Sequence, residues 1–246
     1  ASSTDAFSTI RSSLKDRLNI TTLALLDEQS RNTQFQAQIS GIQNTVTQIQ
    51  KVNATDEELL QKYSKVYFLN ENYLPARLAP IDQKYVMKNE VMTIHTDIVP
   101  FLHRLLEAAN SQSVDLKVTS AYRSFEEQRT LKSSYKMTYG SGANAFSAEQ
   151  GYSEHQLGTT IDFTTKNLAG ALPGFEKEPA FLWLLAHAHE YGFILSYPKG
   201  NSYYMYEPWH WRFVGTALAS RLKTEGKNFY DLDQRDIDSY RGIIFD

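Results

Sequence analysis

The sequence predicts an α+β domain preceded by a helical N-terminal segment, and three observations carry that prediction. Residues 1 to about 62 contain no proline and a single glycine, Gly41, and space their apolar side chains at helical intervals. From Tyr63 onward the texture changes, with prolines at 75, 80 and 100, all three tryptophans and all six histidines. Short β-prone runs then alternate irregularly with helical patterns. They show no repeating strand–helix beat and no glycine fingerprint, which favours segregated α+β over a doubly wound sheet.

Taken in order, Phe35, Ile39, Ile42, Val46 and Ile49 step by four, three, four and three, the a/d spacing of a coiled-coil seam. Phe7, Ile10, Leu14 and Leu18 form an earlier set able to supply a partner helix, so residues 1–62 read as a helical hairpin or short coiled coil. Such a segment acts as a spacer or a self-association element and carries no chemistry of its own. Through Lys65 its seven Lys/Arg and seven Asp/Glu cancel, giving electrostatic membrane attachment no support.

The chemistry is expected in residues 63–246. Pro75 and Pro80 predict an extended strap over 70–80. A helix is predicted over 92–110 with Ile98, Leu102, Leu105 and Leu106 on one side, then a strand over 114–120 and a helix over 124–135. The stretch 132–150, with Gly140 and Gly142, reads as a mobile loop near the cleft. A strand follows over 159–163, a helix over 178–191 ended by Gly192, and a strand over 193–197. Pro208 makes a helix through 207–212 improbable. On a strand beginning near Trp209, His210 and Arg212 share one face while Trp209, Trp211 and Phe213 take the other.

Composition closes off several function classes. A net charge of −3, with no Lys/Arg run longer than two residues, lacks the field that nucleic-acid binding requires. Apolar stretches such as Phe181 to Leu185 fall far short of the roughly 20 residues needed to span a bilayer. With no cysteine, disulfides, thiolate nucleophiles and iron–sulfur clusters are excluded, and any metal must be held by His, Asp and Glu. The beginning Ala-Ser-Ser-Thr, without an apolar signal core, suits a processed exported protein or a trimmed chain.

Two carboxylate–imidazole pairs stand out beside turn-forming or strand-switching residues. His155 and Asp162 lie seven apart across Gly158, and Glu207 and His210 flank Pro208 and Trp209. Two histidines and one aspartate leave zinc a fourth, open position, the pattern of a catalytic rather than a structural site, with Glu207 as the base. The other histidines, His95, His103, His187 and His189, read as core or surface residues.

Three ordered blocks sharpen this reading: Ser120-Ala121-Tyr122-Arg123-Ser124 with Gln128; Ser153-x-His155-x-x-Gly158-x-x-x-Asp162; and Glu207-Pro208-Trp209-His210-x-Arg212-x-Val214-Gly215. From about Asn70 to Gly215 the chain resembles the VanY-type D-alanyl-D-alanine carboxypeptidases and their L,D-carboxypeptidase relatives, within the LAS group of zinc peptidases. The resemblance implies a small antiparallel sheet with flanking helices and Zn2+ held by His155, Asp162 and His210, with Glu207 as general base. Arg123 would face the substrate's carbonyl or carboxylate, and Gln128 and Ser153 would line the same pocket. It further implies peptidoglycan stem peptides as substrate, removal of a C-terminal D-alanine, and an extracytoplasmic setting in the periplasm or cell wall of a bacterium. A wall endopeptidase and a non-catalytic wall-binding protein are the alternatives. Three positions depart from the pattern: Thr160 replaces a small apolar residue, His187 an asparagine and Ser196 a frequent arginine. Arg212 is expected to support its strand or pair with a carboxylate.

Overall fold

A computed structural model describes residues 3–54, 69–139, 148–201 and 203–246. It divides into two compact units, residues 1–51 and 52–246.

The described part of the first unit lies in one continuous helix, α1 (Ser3–Ala54). This corrects the hairpin: no proline interrupts 3–54, and Gly41 lies within the helix without breaking it. Gly41 has nothing within 4 Å of where a Cβ would be, so no packing demands a turn there. Leu14, Leu18, Phe35, Ile39, Ile42 and Val46 all stand exposed along it. Residues 55–62 of the expected N-terminal segment lie outside the described residues. No helix of the described residues is long and apolar enough to cross a membrane.

The second unit is α+β. Strands β1 (Leu78–Pro80) and β2 (Thr93–His95) pair antiparallel, with Leu78 opposite His95. Helix α2 runs Val99–Ser111. The helix expected from residue 92 therefore begins seven residues late. Ile94 and His95 are claimed by the pairing with β1, a short 3-10 turn covers 96–98, and Pro100 sits in the first turn of α2, where its missing N–H costs nothing. Leu102, Leu105, Leu106 and Ala109 then bury one face at the spacing a 3.6-residue turn dictates.

Four strands form the central antiparallel sheet, β3 (Lys117–Ser120), β4 (Thr160–Thr164), β5 (Phe193–Leu195) and β6 (His210–Phe213), in the order β3-β4-β6-β5. Helix α3 (Phe125–Tyr139) follows β3 and α4 (Pro179–His187) precedes β5, while α5 (Thr216–Glu225) and α6 (Gln234–Asp238) close the chain. Of the loop expected over 132–150, residues 132–139 are the end of α3 and 140–147 lie outside the described residues.

Alternation along β4 and β6 separates the core from the site. Ile161, Phe163, Trp211 and Phe213 turn into the cluster built with Ile94, Ile98 and Leu105. Asp162 and His210 face the other way, directly paired across the two strands.

Candidate active site

His155 sits in a 3-10 turn (Glu154–Leu157) that ends at Gly158 in the left-handed conformation, φ +69°. There a Cβ would come within 3.1 Å of the Pro75 ring, and the reversal at Gly158 feeds the chain into β4, on which Asp162 lies. Glu207 and Pro208 precede β6, and the His210 amide donates to the Glu207 carbonyl at 3.1 Å, which holds Glu207 next to the strand that carries the second histidine.

One cleft is lined by Arg123, Gln128, Ser153, His155, Asp162, Glu207 and His210, so all seven residues expected to bind metal or substrate or to act in catalysis converge on it. Tyr197, Trp209, Leu131, Ala148 and Leu172 complete its walls. Trp209 precedes the strand and serves as wall, while Trp211 is core.

Asp162 turns one oxygen to each imidazole, Oδ2 to His155 Nε2 at 3.2 Å and Oδ1 to His210 Nδ1 at 3.1 Å. The rings stand edge-on, 5.0 Å between centroids. Among the described residues, one group of ligand-type side chains lies close enough to share a metal ion, His155, Asp162 and His210, with ligand atoms within 4.8 Å of one another. The nitrogens facing away are engaged: His155 Nδ1 lies 2.6 Å from the Ala121 carbonyl and His210 Nε2 lies 2.9 Å from Glu154 Oε2. Both partners are acceptors, so those nitrogens keep their protons when the ring is neutral, and the opposite nitrogen of each ring is the one that could supply a lone pair to a metal. Two imidazole nitrogens and one carboxylate oxygen suit zinc, and outward hydrogen bonds that orient the rings are what metal-ligating histidines require.

The charges are tightly coupled. Burial works against charge on His210, yet its bonds to Asp162 and Glu154 push it up to about 10 in the metal-free protein. Burial also opposes ionisation of Asp162, but His155 and His210 hold its carboxyl well below the usual range. His155 is driven down by burial. Glu207, with Oε2 at 3.6 Å from His210 Nδ1, is raised by burial to about 7, His210 opposing and Asp162 adding to the rise. A carboxylate poised near neutrality matches general-base work.

Arg123 is positioned by its neighbours. Nη1 donates to Gln128 Oε1 at 2.6 Å and Nη2 to Ser120 Oγ at 2.8 Å, with Nη2 4.0 Å from Asp162. Gln128 in turn donates to the Ala148 carbonyl at 2.8 Å. Gln128 therefore orients the guanidinium as well as lining the pocket. Ser153 is buried in the same wall.

A model of the VanY family, D-alanyl-D-alanine carboxypeptidase, matches residues 91–216, just over half of the 246. The chain belongs to the VanY family. Among its relatives is a D-alanyl-D-alanine carboxypeptidase of Enterococcus faecalis, 28% identical over 179 residues, covering 68% of this chain and 64% of that protein. The chain thus spans somewhat under two thirds of that relative's length. The LdcB LD-carboxypeptidase structure superposes with a TM-score of 0.62 at 28% identity, covering 68% of this chain and 82% of that one. A mutant of the vancomycin-resistance D,D-pentapeptidase VanY in complex with Zn(II) superposes at 0.56 and 25% identity, covering 69% and 98%.

Three features of this VanY-family site were missed from sequence. Glu154 is fully buried beside His155 and takes the carboxylate role that Arg212 called for, at 2.8 Å. Burial alone would raise it, but the Arg212 charge and the hydrogen bond from His210 bring it to about 2. Ser196, the position lacking the frequent arginine, donates to the same oxygen of Glu154 at 2.9 Å. Tyr197 stacks flat on His210 with centroids 4.0 Å apart. Glu154 was inside the second sequence block, but its partners lie 42 to 76 residues away. His95, His103, His187 and His189 stay outside the cleft, as expected.

Proposed function

We propose that this protein is a zinc-dependent carboxypeptidase that removes a C-terminal D-alanine from peptidoglycan stem peptides, outside the cytoplasmic membrane of a bacterium. The observation that carries the reading is the convergence of His155, Asp162, His210, Glu207 and Arg123 on one cleft. A metal ion held by the first three would polarise the scissile carbonyl and acidify water beside it. Glu207 takes the proton of the attacking water and delivers it to the leaving amine. Arg123, fixed in plane by Gln128 and Ser120, offers paired donors to the oxyanion or to the substrate's terminal carboxylate. Ser153 and Gln128 shape the pocket around that carboxylate. To residues 1–62 we assign spacing or self-association, and to residues 63–246 catalysis.

The test is mass spectrometry of muropeptides ending in D-Ala-D-Ala or in one D-Ala, incubated with zinc-loaded and chelated protein. Loss of one alanine from the pentapeptide identifies a D,D-carboxypeptidase, and loss only from the tetrapeptide an L,D-carboxypeptidase. Cleavage of cross-linked dimers alone would replace this reading with an endopeptidase, and no cleavage with a wall-binding protein. Glu207→Gln should abolish turnover and keep the metal.

A further inference from the structure

Glu154 is not among the residues that line the cleft, yet its two oxygens take four hydrogen-bonding partners. Its two oxygens are used differently. Oε1 accepts from Arg212 Nη1 at 2.8 Å, Ser196 Oγ at 2.9 Å and Tyr230 Oη at 2.8 Å, whereas Oε2 faces His210 Nε2 at 2.9 Å. Arg212 also lies over the Phe229 ring, 4.6 Å from its centroid. Phe229 and Tyr230 belong to a 3-10 turn (Phe229–Asp231) beyond residue 216, where the family match ends.

We infer that Glu154 is a positioning residue for the metal site: anchored by Arg212, Ser196 and Tyr230, it keeps the His210 proton on Nε2 and thereby reserves the Nδ1 lone pair for the metal. The C-terminal segment carrying Tyr230 is on this account part of the metal centre. Arg212 can only donate, so the three groups around Oε1 demand an acceptor there. With Oε1 committed, Oε2 is left as an acceptor aimed at His210, and the ring must meet it with N–H. When a metal displaces the second ring proton, the lone pair then falls on the nitrogen that looks toward Asp162 and Glu207.

The substitution Glu154→Gln probes this through its own donor and acceptor pattern. The amide oxygen is required beside Arg212, Ser196 and Tyr230, which places the NH2 group opposite His210 Nε2. Two donors would face each other, and relief comes only by moving the ring proton to Nδ1, where it blocks the metal. Outer partners of ligating histidines are commonly worth about 10–100-fold in metal affinity.

The inference rests on the zinc reading above, and the experiment separates the two. Zinc affinity is measured by chelator competition for the full chain, E154Q and Y230F, and the imidazole protonation of the zinc-loaded wild type by long-range 1H–15N correlation. E154Q should bind zinc at least tenfold more weakly. Y230F, which removes one donor from Oε1 and leaves Oε2 facing the ring, should lose less than threefold. The wild-type spectrum should place the His210 proton on Nε2. A His210 proton on Nδ1 in the loaded wild type overturns the inference even if E154Q fails to fold, as does equal loss in the two variants, the mark of a packing role. Wild-type protein that takes up no zinc overturns the metallopeptidase reading and this inference with it.

Discussion

Replacing Gly192 by alanine tests how tightly the core fixes the strand that carries His210. Gly192 ends the 3-10 turn after α4 with φ +81°, a conformation that costs a non-glycine residue about 1–2 kcal/mol. Its Cβ would lie 2.5 Å from Phe213 Cε2 and 3.1 Å from Cδ2. Ordinary carbon contacts are about 3.5–4.0 Å, so the ring must retreat by about 1 Å. Phe213 is wholly buried, with Phe101 at 4.8 Å and Phe193 at 5.3 Å between centroids, and overpacking of that kind costs about 1–3 kcal/mol. Together the two effects should destabilise the protein by about 2–5 kcal/mol, a large share of the usual 5–15. Equilibrium urea unfolding of the metal-free protein reads this directly. At an m-value near 2 kcal/mol/M, the midpoint should fall by about 1–2.5 M. Adding Phe213→Leu should make the pair cost less than the sum of the single changes. A loss under about 1 kcal/mol, or strict additivity, would refute the steric reasoning.

Other expectations concern charge and metal. In the metal-free protein His210 is raised from 6.5 to about 10 and Glu207 from 4.5 to about 7, so the stability tied to their protonated forms is complete at low pH within those windows and declines as pH rises through them. Metal must displace the His210 proton, so apparent zinc affinity should climb by up to about tenfold per pH unit between pH 7 and 9, checked by competition titrations at several pH values. Arg123→Lys keeps the charge but loses the planar fork, and kcat/KM on muropeptides should fall by about 100-fold, measured against wild type under saturating zinc. Free zinc at about 100 times Kd should stabilise the protein by about 2.7 kcal/mol, read as a urea-midpoint shift that a chelator reverses. Gly41→Ala, in open space within α1, should raise helix stability by about 0.5–1 kcal/mol, seen in thermal circular dichroism.

The cleft was legible in sequence because its chemistry sits beside local signals. Gly158 marks the turn after His155, Pro208 forbids a helix before His210, and alternation along β6 sorts Arg212 from Trp211. Helix α4 was equally plain, since Pro179 opens it and Gly192 ends the turn that follows. What escaped is decided by distant partners. Ile94 and His95 fall inside the stretch expected to be helical but are taken by pairing with β1, a choice only the register of Leu78 with His95 explains. Glu154 and Tyr230 are joined across 76 residues, and no local pattern points from one to the other. Of the two forms that residues 1–62 suggest, a hairpin or a short coiled coil, the continuous helix excludes the hairpin, because nothing between the two apolar sets breaks it.

With the metal site proposed above, the direct pairing of Asp162 with His210 would make strand register and metal loading a single event. The two residues are 48 apart in sequence, so no local loop of the unfolded chain can present them together. A slip of one residue between β4 and β6 would turn one ligand to the opposite face and leave an incomplete donor set. Bound zinc would therefore count the molecules whose central strands have met in register, and in a refolding mixture its stoichiometry would measure correct topology where total helix content could not.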